Sequence, residues 1–363
     1  MLYHLLYPLS DTYTLFNVFK YITFRSVYSL LTALLLSLLI GPLVIRTMRA
    51  FEIGEKIRED GPKSHHKKSG TPTMGGLLIL GSLIVSVLLW ADLSNRYILL
   101  AMFVAIAYGA IGFADDYMKI KKIRKQGMSP REKFFLQFFF ASIVAVYIVY
   151  FDSGRAGFAT KLGIPFLKNY RPDLGLFYLF FIIMVIVGTS NAVNLTDGLD
   201  GLAIGPIIIA TFALMVVTYV CGHTKFAQYL MIYNIKESGE LTVLCGAAIG
   251  SCLGFLWFNS YPAQIFMGDV GSVPLGALLG TLAVIVKHEL LLFFIGGVFV
   301  IEAMSVILQV GYFKMTGGKR IFRMAPLHHH FEEKGWEEPK VIVRFWIVAI
   351  ILAMFSLSTL KIR

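Results

Sequence analysis

Ten apolar runs, each of about 18 residues or more and so long enough to cross a hydrocarbon core of about 30 Å, punctuate the chain. They begin near Val27, Met74, Tyr97, Phe134, Leu174, Leu202, Leu241, Ser272, Leu290 and Val341, with polar segments between them. Only helices that satisfy their own backbone can lie in lipid this way. The pattern therefore predicts an all-α polytopic membrane protein with about ten transmembrane helices. Residues 1–25 mix Tyr3, Tyr7, Tyr13, Phe16, Phe19, Tyr21 and Phe24 with Lys20 and Arg25, which suits a helix lying at headgroup level. The connection 152–172, with Gly154, Gly157, Gly163, Pro165 and Pro172, suggests a small outer hairpin.

Composition agrees with this reading. Of 363 residues, 57% are hydrophobic, against about 45–50% in a soluble domain. The chain 1–363 reads as a single integral membrane domain, and no small-residue cleavage pattern follows the first run. Cys221, Cys245 and Cys252 fall in or beside apolar runs, where buried thiols are expected rather than a disulfide framework.

Charge gives an orientation. The loops 46–72, 117–133 and 313–344 carry 7 Lys and Arg each, 21 of the 33 in the chain. The positive-inside rule puts these loops in the cytoplasm, with both termini outside. On the same inner side fall two loops without a cation, 191–201 and 259–271.

Those two loops carry acids. Asn194-Leu195-Thr196-Asp197-Gly198-Leu199-Asp200-Gly201 has two carboxylates three apart, and Met267-Gly268-Asp269-Val270-Gly271 has one just before a run. Asp115 and Asp116 end the third span beside Lys119, Lys121 and Lys122. Successive helical residues point about 100° apart, so these two acids cannot share one role. Lys68 precedes a Thr71-Pro72-Thr73-Met74-Gly75-Gly76 turn suited to phosphate or nucleotide. His328, His329 and His330 stand in a loop so rich in cations that a hard anion fits it better than zinc. Glu302 lies inside the apolar run broken by Gly296-Gly297, and its role is open. Carboxylates without thiolate partners favour a hard ion such as Mg²⁺, shared with substrate phosphates. Such a face suits phosphoryl transfer, where positioning and charge neutralisation do most of the catalysis. An ion-coupled transporter would instead set its ionisable groups near the bilayer midplane.

These segments, taken with Phe113-Ala114-Asp115-Asp116-Tyr117, Phe266-Met267-Gly268-Asp269 and Ala325-Pro326-Leu327-His328-His329-His330, strongly resemble the bacterial phospho-N-acetylmuramoyl-pentapeptide transferases. That family is a branch of the polyprenyl-phosphate N-acetylhexosamine-1-phosphate transferases, and the His triplet followed by Glu332 resembles the muramoyl branch rather than the N-acetylglucosamine one. The resemblance runs through the chain in order. It implies transfer of phospho-MurNAc-pentapeptide from UDP-MurNAc-pentapeptide to undecaprenyl phosphate at the bacterial inner membrane, giving lipid I and UMP, with Mg²⁺. It further implies a homodimer in membrane lipid and no nucleic-acid partner. Asp269, supported by Asp116, would hold the metal, and Asp115 would meet the lipid phosphate. His328, His329 and His330 join them as catalytic residues. Asp197, Gly198, Leu199, Asp200 and Phe266 would line the nucleoside end, both acids sitting at the start of a helix. Lys68, Thr73, Lys119, Lys133, Asn194, Asn259 and Gln309 complete the substrate-binding set, and the ninth helix would bend near Glu302 beside a lipid groove. Two mechanisms remain: direct attack by the lipid phosphate, or a covalent phospho-sugar enzyme formed on a carboxylate such as Asp269.

Overall fold

The computed structural model describes residues 1–50, 70–121, 123–124, 127–152, 155, 157–167 and 170–361. Lys68 lies outside the described residues. Each of the ten apolar runs coincides with helix. In chain order the helices are α1 (Leu2–Leu6), α2 (Ile22–Ala50), α3 (Gly76–Trp90), α4 (Arg96–Ile120), α5 (Pro130–Val146), α6 (Phe177–Thr196), α7 (Ile204–Gly222), α8 (Thr224–Leu230), α9 (Leu241–Asn259), α10 (Asp269–Ile285), α11 (Glu289–Ile295), α12 (Gly297–Met315), α13 (Leu327–Glu332) and α14 (Glu338–Thr359).

Among the described residues 8 helical segments are long and apolar enough to cross a membrane, and α3 and α10 are shorter. At 15 and 17 residues these two rise only about 22 and 26 Å, less than a full hydrocarbon core. The reason is their place. The N-terminal ends of both meet polar residues near Asp269 instead of lipid, so the chain turns before a full span is complete. The ninth run is two helices, α11 and α12, broken at Gly296.

Two expectations are revised. The N-terminal segment is not one helix but α1 followed by the 3-10 turns Tyr7–Asp11 and Thr14–Lys20, seated through Phe19 stacked at 5.9 Å on Trp90. Among the described residues the hairpin shrinks to a single antiparallel bridge between Lys161 and Asp173, because Gly163 and Pro165 interrupt the segment before a ladder can extend.

Lipid offers no hydrophobic drive for helix pairing, so close backbone approach and polar contacts hold the bundle. Gly246, Gly250 and Gly254 form a four-residue stripe on α9 against α2. A Cβ at Gly250 would stand 2.1 Å from the carbonyl oxygen of Leu30. Buried hydroxyl pairs, Ser29 with Ser86 at 2.9 Å and Ser37 with Ser82 at 2.8 Å, join α2 to α3. The central segment ending in α9 buries 83% of its apolar window, whereas the corresponding windows in α2, α5 and α12 bury 28%. The first sits inside the bundle; the others present their apolar side chains to lipid.

α10 packs against both α4 and α6. Local sequence sets the ends of these elements. Asn95 caps α4 by accepting from the amides of Tyr97 and Ile98, and Ser129 with Glu132 forms a capping box ahead of α5.

Candidate active site

Three carboxylates meet where α4 ends and α10 begins. Gly112 makes this possible, since a Cβ there would fall 2.2 Å from the carbonyl oxygen of Asp269. Asp115 and Asp116 are buried and point apart, as their adjacency requires. One oxygen of Asp115 accepts the Met128 amide at 2.7 Å, and one of Asp116 accepts the Val270 amide at 3.1 Å. Even so, Asp115, Asp116 and Asp269 each bring an oxygen within 4.8 Å of the others. At an effective dielectric of about 20, each pair of charges at that separation repels by about 3 kcal/mol.

Cations offset this. The Lys119 ammonium stands among all three, 2.5 Å from Asp115, 3.7 Å from Asp116 and 3.2 Å from Asp269. Lys133 lies 2.7 Å from Asp269. Asn194, near the end of α6, donates to Asp269 at 2.7 Å and to Ser272 Oγ at 2.8 Å. The formal charge of this group is three negative and two positive, one negative in excess. Lys119 is therefore more than half of an i,i+4 surface pair: it occupies the cation position of a cluster built from hard oxygen donors.

Thr73 reaches the same place. The backbone of Phe266 pairs with the segment ahead of α3, its amide donating to Pro72 and its carbonyl accepting from Gly75, each at 2.8 Å. That pairing sets Thr73 Oγ1 and the Asp116 carboxylate side by side against Gly268. Phe266 itself is half-buried.

The turn 197–201 is placed differently from its expectation. Asp197 follows the last residue of α6, and α7 starts only at Ile204, so the two acids close one helix rather than open the next. Asp200 is buried and bonded within the protein: its carboxylate accepts the Ala263 amide at 2.9 Å and its own amide donates to Glu338 at 3.0 Å. Asn259 ties Gly201 to Ile265 through its Oδ1 and Nδ2, and Leu199 packs with Leu202, Val298 and Val341. Asp197 and Gly198 are half-exposed beside them. Asp200, Leu199 and Asn259 thus build the wall of this region.

Across from the turn, Gln309 of α12 accepts the amides of Ile321 and Phe322 at 3.0 Å and folds the basic loop back. The His328 and His329 rings meet edge to face at 4.1 Å, but the three histidines bond to different groups. His328 pairs with Glu302, His329 with Glu332 at 2.7 Å, and His330 Nδ1 takes the Arg323 amide at 3.1 Å. Burial lowers the His330 pKa below its ordinary value, and the Lys334 and Arg323 charges lower it further, which suits a ring nitrogen acting as acceptor. Among the described residues the grouped metal-ligand set is the aspartate triad.

Sequence reasoning gave no role to Ser272, Met128 or Glu338. Ser272 was read as the start of an apolar run, while the Met128 amide and the Glu338 carboxylate carried no local signal of the aspartates they serve.

A helical membrane bundle that gathers three carboxylates, two of them buried, and two lysines at one end has the equipment of a membrane-embedded transferase of phosphorylated groups. A family profile described as glycosyl transferase family 4 matches residues 97–287, and one described as phospho-N-acetylmuramoyl-pentapeptide-transferase signature 1 matches residues 68–80. Curated relatives named phospho-N-acetylmuramoyl-pentapeptide-transferase cover the whole chain and are covered by it. They include proteins of Desulforapulum autotrophicum, 60% identical over 363 residues, Desulfatibacillum aliphaticivorans, 57% over 366, and Thermodesulfovibrio yellowstonii, 56% over 363. The chain belongs to the phospho-N-acetylmuramoyl-pentapeptide-transferase family.

Proposed function

We propose that this protein moves phospho-MurNAc-pentapeptide from UDP-MurNAc-pentapeptide to undecaprenyl phosphate, releasing UMP and forming lipid I. The observation that carries the chemistry is the aspartate triad with an ammonium ion at its centre. The full-length relatives supply the substrate. The triad suits Mg²⁺ because its donors are hard carboxylate oxygens with one negative charge in excess of the lysines. Asp269 and Asp116 would hold it, and the bound ion would neutralise the diphosphate during transfer.

In the reaction an oxygen of the lipid phosphate attacks the β-phosphorus of the UDP-sugar, and the bond to the α-phosphate oxygen breaks as UMP leaves. Asp115, the remaining carboxylate of the cluster, accepts the proton of a protonated lipid phosphate. Lys119 and Lys133 lie where they offset charge on the phosphates. Direct attack fits better than a covalent intermediate on Asp269, whose two oxygens are already engaged by Asn194, Lys119 and Lys133, which leaves a weak nucleophile. Asp197, Gly198 and Phe266 face the nucleoside, with Thr73, Gln309 and His329 around it. The basic loops favour a cytoplasmic site in the bacterial inner membrane, with both termini outside. The protein works as one domain over 1–363, in a homodimer.

Purified protein incubated with undecaprenyl phosphate, Mg²⁺ and each UDP-sugar in turn tests this. UMP release with UDP-MurNAc-pentapeptide is expected. Release with UDP-N-acetylglucosamine and none with the muramoyl substrate would identify the sibling reaction instead.

A further inference from the structure

Glu302 and His328 form a buried pair that the chemistry above leaves unused. Glu302 sits in α12 with 0% exposure, and His328 at the start of α13 also has 0%. A carboxylate buried at this depth is costly unless its oxygens are matched by donors. Here both oxygens face one residue: Oε1 accepts the backbone amide of His328 at 3.1 Å, and Oε2 lies 3.2 Å from its Nδ1. A carboxylate only accepts, so the proton between them belongs to Nδ1. With Nδ1 carrying the one ring proton, Nε2 is an acceptor.

That nitrogen is buried and has no hydrogen-bond partner among the described residues. It is aimed at Gly198, where a Cβ would come within 2.3 Å of it. The turn bearing Gly198 follows α6, the helix whose Asn194 holds Asp269. His329 and His330 meet other groups through their Nδ1 atoms, so within the triplet the pairing with Glu302 is particular to His328. Buried ring nitrogens without a partner are rare in folded proteins and call for a ligand or an ordered water.

We infer that Glu302 is a positioning residue for the nucleotide-sugar site: it fixes the tautomer and direction of the His328 ring so that Nε2 accepts an N–H or O–H from the nucleotide-sugar. This rests on the transferase reading proposed above. It differs from the expectation that the histidines meet phosphate, because a ring held in this tautomer repels phosphate oxygens and welcomes an amide or hydroxyl donor. Gly198 belongs to the same device, since any side chain there would displace the ring.

The variant Glu302→Gln separates this role from a structural one. Its carbonyl oxygen still receives the His328 backbone amide, while its NH₂ group offers a donor to Nδ1 and drives the proton to Nε2. The expected result is a rise of about tenfold in KM for UDP-MurNAc-pentapeptide, the cost of one hydrogen bond of reversed polarity, with the KM for undecaprenyl phosphate held within about twofold. In ¹⁵N-histidine-labelled protein, with His328 assigned by comparison with His328→Gln, the wild type should show the Nδ1-protonated neutral ring and Glu302→Gln the reversed tautomer. An Nε2-protonated wild-type ring, unchanged KM values, or an equal rise for both substrates would overturn the inference. If Glu302→Gln does not fold, the wild-type spectrum decides. Wild-type turnover of a different UDP-sugar would defeat the proposed substrate while leaving the tautomer, and the KM shift measured with that sugar nucleotide, to judge Glu302.

Discussion

Replacing Asp269 by Asn changes one formal charge and almost no volume at the centre of the carboxylate cluster. The change removes the charge attraction to Lys133 at 2.7 Å and to Lys119 at 3.2 Å, about 6 and about 5 kcal/mol at an effective dielectric of about 20. Relieved at the same time is repulsion of about 3 kcal/mol from each of the two neighbouring carboxylates. For the fold the relief offsets about half of the loss. The two lysines keep other partners or water, the Asn carbonyl still accepts from Asn194, and the melting temperature in detergent should fall by only a few degrees. For a cation held in the cluster nothing cancels. A unit charge removed at about 3 Å costs it about 5 kcal/mol, a factor of roughly 10³ to 10⁴ in affinity or rate. UMP release measured across a Mg²⁺ titration should therefore fall by at least about a thousandfold in Asp269→Asn, with weakened Mg²⁺ dependence. Near-normal turnover with an unshifted Mg²⁺ midpoint would refute the placement of the metal.

Lys133→Met leaves Asp269 with one ammonium partner and should lower kcat about a hundredfold while leaving the melting temperature close to wild type, as assayed by UMP release. Asp200→Ala strands the buried amide of Ala263 and should cost about 1–3 kcal/mol of stability; Asp200→Asn, which keeps an acceptor, should recover most of it in the same melting assay. Gly250→Val places a branched side chain where even a Cβ would meet the Leu30 carbonyl at 2.1 Å, so α2 and α9 must separate, and the protein should aggregate on detergent size-exclusion chromatography.

Much of this protein was written in one dimension. Lipid forbids unsatisfied backbone, so apolar length alone fixed the helical class and the position of every long helix. The charged loops and the adjacent Asp115 and Asp116 announced phosphate chemistry, because hard anions and hard cations need those residue types. Tertiary structure decided which acids act together. Asp115 and Asp269 are far apart along the chain, and only the close crossing of α4 and α10 at Gly112 brings their oxygens within 4.8 Å. The same packing turned Asp200 and Asn259 inward to bond backbone amides and carbonyls, a role that sequence spacing does not reveal. It also joined Glu302 to His328 across the loop that Gln309 folds back. Residue type reports what a side chain can do; its partners exist only once the helices have packed.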